Sequence, residues 1–270
     1  MTDETRPDSN ETRTALTIAG SDSGGGAGIQ ADIKTFAALG VYGMSAITAI
    51  TAQNTLTVTD VLALPPEMVV AQIDAVVADL PVHAVKIGML ATAEIAMAVG
   101  ETIERHQLPH VVLDTVMVAK GGARLVDARA VTAIRERLFP LAEVVTANGP
   151  EATALTDLPV ASVTDARRAA ERLVGLGARA AIVKGGHLDG PAIDVLYDGR
   201  TVMEFRADRI DTPHTHGTGC TFAAAIAARL ALGDTLLDAT ERAKHYVTEA
   251  IRHAPRLGHG HGPLGHFFPR

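Results

Sequence analysis

Short aliphatic runs alternate along the chain with longer stretches in which apolar positions recur every three or four residues. The runs Ala15–Ala19, Ser45–Ile50, Ala84–Ile87, Val111–Leu113, Val144–Thr146 and Ala180–Val183 have strand length and are bounded by glycine or polar residues. Between them the helical period predicts helices over Ile29–Leu39, Pro66–Leu80, Thr92–His106, Asp127–Leu138 and Thr164–Leu176. Apolar strands separated by helices of about 10 to 15 residues indicate βαβ units and a parallel sheet. Right-handed crossovers then lay helices on both sheet faces. The last part departs from this rhythm. Ile193–Tyr197 and Thr201–Phe205 flank Asp198-Gly199, a hairpin turn signal, and two helices follow at Thr218–Leu232 and Asp234–His253.

Length agrees with this picture. The 270 residues, at about 150 per domain, allow one or two domains. No linker or repeat divides the chain, so one α/β domain over 14–270 is expected. Residues 1–13 are polar and acid-rich, lack the apolar segment of an export signal, and are expected to be a disordered extension. The uncharged stretch Thr35–Thr59 is broken by Gly40, Gly43, Gln53 and Asn54, so it does not read as a membrane span. A cytoplasmic location is the expectation. A single Cys excludes an internal disulfide and a cysteine-based metal cage. A net charge of −7, with six Phe, three Tyr and no Trp, argues against a nucleic-acid surface.

In an open parallel sheet, ligands sit beyond the carboxyl ends of the strands. The polar and glycine clusters fall there: Gly20–Gly28, Gln53–Asn54, Lys86–Met89, Asp114–Gly122, Asn148–Glu151, Lys184–His187 and Thr215–Cys220. The first lets backbone approach a ligand closely. Within it, Gly26–Ala31 matches a dinucleotide fingerprint, but no acid follows at the spacing that would hold a ribose. Asp32, in the next helix, reads either as a surface residue complementing the helix dipole or as an acceptor facing the ligand. With Gln53, which offers both a donor and an acceptor, it suits a flat heterocycle of mixed polarity.

The chain has no Gly-Lys dipeptide, so it lacks a P-loop. Thr215-His216-Gly217-Thr218-Gly219-Cys220 at a helix start offers another phosphate cradle. Its plain alternative is a helix cap with Thr218 as the capping residue. Cys220, in the first turn, is either an inert core thiol or one whose pKa the helix terminus lowers. Asn148 and Glu151 read either as a cap or, with Asp114, as oxygens for magnesium. His259, His261 and His266 sit in a glycine-spaced tail that reads as structural rather than metal-binding. Of only five lysines, Lys120 and Lys184 each open a Lys-Gly-Gly loop at the ligand edge.

Taken together, these motifs resemble the ribokinase superfamily, and within it the bacterial hydroxymethylpyrimidine and phosphomethylpyrimidine kinases of thiamine biosynthesis. The resemblance runs from about Ala15 to Phe268 through Leu16–Gly20, Gly28–Phe36, Thr48–Asn54, Lys86–Leu90, Asp114–Lys120, Val183–His187, Thr215–Thr221 and Gly258–Pro263. It implies a three-layer α/β/α sandwich with a mostly parallel sheet, ATP and Mg²⁺ as cofactors, and a small pyrimidine substrate. The alcohol of 4-amino-5-hydroxymethyl-2-methylpyrimidine would be phosphorylated first, and the monophosphate second. By the same resemblance Gly20, Ala27, Asp32, Gln53 and Met89 bind the pyrimidine. Lys120, Lys184, Thr215, Gly217 and Gly219 hold phosphates, and Asp114, Asn148 and Glu151 serve the metal. Lys184 and the loop Gly217, Thr218, Gly219 and Cys220 form the catalytic centre, Cys220 standing where most relatives carry an Asp base. A homodimer is implied as well.

Three other readings compete. A pyridoxal or pyridoxine kinase acts on a similar hydroxymethyl group, but its relatives in this branch carry a second Cys where Ala119 stands. An oxidoreductase leaves the second half of the chain unexplained. A non-catalytic pyrimidine sensor has no use for the phosphate residues.

Overall fold

A computed structural model describes residues 12–117, 126, 128–188 and 190–269. Nine strands form one sheet in the order β3-β2-β1-β4-β5-β6-β7-β8-β9. They are β1 (Thr14–Asp22), β2 (Tyr42–Gln53), β3 (Val58–Ala63), β4 (Ala84–Ile87), β5 (Val111–Asp114), β6 (Val144–Asn148), β7 (Ala181–Lys184), β8 (Ala192–Tyr197) and β9 (Val202–Ala207). Strands β2, β1, β4, β5, β6 and β7 run parallel, while β3, β8 and β9 pair antiparallel.

Helices cover both faces, giving the expected three layers. They are α1 (Gly28–Ala38), α2 (Pro66–Val77), α3 (Ala93–His106), α4 (Ala128–Ala133), α5 (Gly149–Thr156), α6 (Val163–Gly175), α7 (Thr218–Ala231) and α8 (Leu236–Arg252). Starts are fixed by side-chain caps: Thr92, Ser162 and Thr235 each accept a backbone N–H from the residue three positions on. α6 buries Ala166, Ala169, Ala170 and Leu173, one stripe at helical spacing. α7 is buried almost all round, and its alanines let it lie close between the sheet, α1 and α8.

The two faces can be read from strand alternation. Leu16, Ile18, Val85, Ile87, Val111, Leu113, Val145 and Val183 pack one face under α2, α3 and α6. Ala15, Ala84, Val112, Val144 and Ile182 point the other way, toward α1, α7 and α8. The chain builds outward from β1 in both directions, so β1 marks the point where strand order reverses and a ligand crevice is expected.

Several boundaries differ from the sequence reading. β2 is longer than the run Ser45–Ile50, and it turns back through Asn54, whose Oδ1 accepts the N–H groups of Leu56 and Thr57, into the unexpected strand β3. The helix expected to run unbroken to Leu138 ends its regular part at Ala133 and widens into a π turn over Ile134–Leu138. There Arg137 lies across Gly100 of α3 and pairs with Glu104. The expected extension is outside the described residues up to residue 11. Arg13 is already joined to the sheet, its carbonyl accepting the Tyr42 N–H at 2.8 Å. Among the described residues no helix is long and apolar enough to cross a membrane.

Candidate active site

The same alternation that packs the core builds the floor of the site. Thr17, Lys86, Asp114, Thr146 and Lys184 occupy the out-of-phase positions of β1, β4, β5, β6 and β7. All point toward α1 and α7 near the strands' carboxyl ends. Register sets Thr17 beside Lys86 and Asp114 beside Thr146. Each of these polar groups is buried or nearly so, and each finds a partner. Lys86 Nζ lies 2.8 Å from Asp32 Oδ2, which also accepts the Thr17 hydroxyl at 2.6 Å. Lys184 Nζ lies 2.7 Å from Asp114 Oδ1, which also accepts the Thr146 hydroxyl at 2.8 Å. Burial works against the Lys86 ammonium, but the charges around it, Asp32 first and Asp114 with it, together offset that and raise its pKa, while the same burial raises that of Asp32 despite Lys86. The same balance, with Asp114 and Glu151 as the attracting charges, raises the Lys184 pKa.

Above this floor lies a cavity of about 1120 Å³. At one end the loop after β1 is stapled by Asp22, whose carboxylate accepts the N–H groups of Gly24, Gly26 and Ala27 at 2.8–3.0 Å. His216 Nε2 sits 2.9 Å from the same carboxylate. These bonds hold Asp22 below the usual carboxylate range against the opposing effect of burial. Gly20, Ala27, Gln53 and Met89 line the cavity here. Thr48 fixes the Met89 loop by donating to the Met89 carbonyl at 2.6 Å. Asp32 does not reach the wall. It is fully buried between α1 and the sheet, committed to Lys86 and Thr17, because the out-of-phase Lys86 needs a countercharge there.

Against the glycine loop packs the loop Thr215–Cys220, which leads into α7. Gly217, not Thr218, is the capping residue. It is left-handed, at φ 80°, and a Cβ there would stand 1.8 Å from the Gly26 carbonyl oxygen, so only glycine fits. Thr218 opens the helix and turns its hydroxyl back onto the Thr215 carbonyl at 2.8 Å. The Thr218 N–H donates to the Thr215 carbonyl at 3.3 Å, and the next N–H groups of α7 have no acceptors within the helix. A Cβ on Gly219 would lie 3.1 Å from Lys184 Nζ and 3.6 Å from Asp114 Oδ2. Thr215, Gly217, Thr218, Gly219, Cys220 and Lys184 all line the cavity here. A lysine ammonium facing a helix N-terminus forms an anion site.

The Cys220 thiol does not behave as its helix position suggests. Burial pushes it up to about 11, despite the opposing charge of Lys86. Desolvation outweighs the helix terminus, so the group is a thiol at neutral pH.

Asn148 and Glu151 form a reciprocal cap of α5. The Asn148 side chain accepts the Glu151 N–H at 2.9 Å, and the Glu151 carboxylate accepts the Asn148 N–H at 2.8 Å. Burial raises the Glu151 pKa to about 7. Both residues line the cavity beside Asp114. Capping occupies the oxygens that direct magnesium ligation would need. Asp114 Oδ2, buried and without a hydrogen-bond partner among the described residues, is the oxygen left over. Lys120 and Ala119 lie outside the described residues.

Sequence reasoning did not single out several wall residues. Lys244 of α8 pairs with Asp194 at 2.8 Å, and Asp194 also accepts the Gly185 N–H at 2.9 Å, so both brace the loop carrying Lys184. Arg209 donates to the carbonyls of Gly186, Leu188 and Gly190 in the same loop. The histidine-rich tail is hydrogen-bonded to the loops around the site. The His261 N–H donates to the Thr55 carbonyl, the Gly262 carbonyl accepts the His216 N–H, and His266 Nε2 meets the Thr221 hydroxyl at 3.0 Å. Among the described residues no group of three or more His, Cys, Asp and Glu side chains is placed to hold a metal.

Residues 22–265 match the family model described as phosphomethylpyrimidine kinase. The chain belongs to this family. It is 51% identical over 257 residues to the hydroxymethylpyrimidine/phosphomethylpyrimidine kinase of Synechococcus elongatus, covering 94% of this chain and 97% of that protein. It is 53% identical over 254 residues to the thiamine biosynthesis bifunctional protein ThiED of Geobacter sulfurreducens, covering 94% of this chain but 52% of that longer protein. The fold is also that of a solved ADP complex of Bacillus subtilis pyridoxal kinase, with a TM-score of 0.89, 42% identity, and coverage of 95% of this chain and 98% of that one.

Proposed function

We propose that the chain is a hydroxymethylpyrimidine and phosphomethylpyrimidine kinase of thiamine biosynthesis. In this reading it transfers the γ-phosphoryl group of ATP to the alcohol of 4-amino-5-hydroxymethyl-2-methylpyrimidine, then a second to the monophosphate. The observation that carries this is one cavity with two chemically distinct, adjoining walls. Gln53 in a glycine-lined pocket forms one, and a helix N-terminus with a buried lysine forms the other. Family membership agrees with it.

The residues divide the work. Gly20, Ala27 and Met89 shape a flat slot, and Gln53 offers a donor and an acceptor to a ring edge. The N–H groups of the Gly217–Cys220 turn and the Lys184 ammonium stabilise the charge on the moving phosphoryl group. Phosphoryl transfer has a loose transition state, in which the alcohol proton leaves late, so a thiol at Cys220 does not have to be a strong base. Magnesium, when bound with the nucleotide, neutralises phosphate oxygens. Asp114 would hold it through Oδ2, with Asn148 and Glu151 alongside through water. Asp194, Lys244 and Arg209 keep the Lys184 loop in place.

The second reading is a pyridoxine kinase, favoured by the similarity to the Bacillus subtilis pyridoxal kinase structure. With a single Cys, the two-thiol arrangement of such relatives is unavailable. Incubating the protein with Mg·ATP and either alcohol separates the readings. The expected result is faster ADP release with the pyrimidine. Faster turnover of pyridoxine overturns the first reading in favour of the second.

The working form proposed is a cytoplasmic homodimer. Exposed apolar side chains on the edge hairpin, Ile50, Val61 and Leu62, support a second copy there. Sedimentation equilibrium is expected to give twice the chain mass, and a monomer mass contradicts it.

A further inference from the structure

The side-chain amide of Gln53 can be oriented by counting protons around it. Asp22 accepts three backbone N–H groups, so it is an ionised acceptor, in keeping with its lowered pKa. His216 Nε2, at 2.9 Å from Asp22 Oδ2, must therefore carry the proton. A nitrogen lone pair facing a carboxylate would repel it. As drawn, the Gln53 Nε2 lies 3.3 Å from the same His216 Nε2 and the Gln53 Oε1 lies 3.1 Å from the Thr51 hydroxyl. The Thr51 hydroxyl has a single proton, and the Ser21 carbonyl lies closer, at 2.9 Å. With that proton committed to Ser21, the Thr51 oxygen can only accept.

Thr51 thus requires the Gln53 NH₂, and the His216 N–H, whose proton goes first to Asp22, accommodates the Gln53 carbonyl as a second, longer acceptor but not the NH₂. The Gln53 NH₂ belongs toward Thr51, and its carbonyl belongs toward the His216 N–H. The opposite rotamer sets two donors face to face at His216. Nitrogen and oxygen of an amide have nearly the same shape, so hydrogen-bond partners decide between the rotamers.

We propose that Thr51 and the Asp22–His216 pair are positioning residues that lock the Gln53 amide in one orientation and thereby set ring selectivity. The locked amide keeps one N–H and one carbonyl lone pair for the cavity, in a fixed order. A ring edge with an amino donor beside a nitrogen acceptor matches that order. A pyridine carrying a hydroxyl and a methyl group presents a different one. His216 belongs to the anion turn and Asp22 to the glycine loop, so ring recognition is tied to the phosphate cradle. The selectivity part of this proposal rests on the pyrimidine kinase reading, whereas the amide orientation stands without it.

The experiment has two arms. In the first, the Gln53 side-chain amide is followed by ¹⁵N NMR in the substrate-free protein. The N–H bonded to Thr51 is expected to be shifted from the free-amide position and slow to exchange with water, both effects being lost in Thr51→Val and recovered in Thr51→Ser. In the second, kcat/KM is measured for the aminopyrimidine alcohol and for pyridoxine. Thr51→Val and His216→Leu are each expected to lower the pyrimidine-to-pyridoxine ratio about tenfold, the scale of one hydrogen bond. The change should fall mainly on KM for the pyrimidine, with Thr51→Ser near the parent value. Amide signals unchanged in Thr51→Val, or a ratio within twofold of the parent in both variants, overturns the proposal. If the parent phosphorylates neither alcohol, the kinase reading fails while the NMR arm still tests the orientation.

Discussion

Gly217→Val should lower kcat for phosphoryl transfer by roughly 10²–10³, the range seen when donors to a developing anion are lost. A valine Cβ would lie 1.8 Å from the Gly26 carbonyl, and its backbone would be held at φ 80°. The side chain cannot yield, so the turn must move. The first N–H groups of α7 then leave their line with Lys184, and the glycine loop at the substrate end is pushed as well. Gly219→Val is milder in strain but places bulk 3.1 Å from the Lys184 ammonium, where the phosphoryl group would sit. Cys220→Ala should cost far less, about tenfold or under, because the thiol is held up at about 11 and supplies little base. Steady-state kinetics on the three variants, with melting curves to confirm folding, give the comparison. Near-parental activity in both glycine variants would remove the anion site. A loss in Cys220→Ala as deep as in Gly217→Val would move the chemistry to the thiol.

Lys86→Met should cost stability rather than specificity. It removes the ammonium that neutralises Asp32, a carboxylate with no exposure and with Oδ1 already lacking a partner among the described residues. Leaving one member of a buried pair uncompensated costs roughly 3–5 kcal/mol. For a chain of this size that is a fall in Tm of roughly 6–20 °C. Replacing both residues by apolar ones of similar volume, Lys86→Met with Asp32→Leu, should recover most of the loss, since a buried pair adds little net stability. Thermal denaturation of the single and double variants measures this directly. A single variant as stable as the parent would mean that Asp32 is protonated or solvated, and the floor as described would not exist.

Much of the fold is visible in the hydrophobic pattern because the sheet is buried on both faces. The strands β1, β4, β5, β6 and β7 read as plain apolar runs, and the helices between them show their stripes. β3 is invisible for the complementary reason. It is an edge strand whose Thr59, Asp60, Val61 and Leu62 are all exposed, so no face demands an apolar pattern. α5 shows only its cap, because eight residues offer little periodicity.

The site residues divide in the same way. Gly20, Gln53, Met89, Lys184 and the Gly217 turn sit at strand ends and helix starts, where chemistry and chain position agree. The burial of Asp32 escapes sequence reasoning, which has no means of seeing that Lys86, 54 residues along the chain, meets it between α1 and the sheet. The two readings of Cys220 stay open in the sequence because helix position is local while desolvation depends on everything packed around the thiol. Asp22 and His216 are nearly 200 residues apart, and only the fold brings them within 2.9 Å.

The central claim is that one cavity phosphorylates a pyrimidine alcohol twice. A time course with excess Mg·ATP and the aminopyrimidine alcohol, read by mass spectrometry of the products, tests it most directly. The account predicts monophosphate rising first, diphosphate following at its expense, and two ADP released per pyrimidine consumed. A reaction with no phosphorylated pyrimidine at any time, or ADP formed at a rate independent of the alcohol, contradicts it.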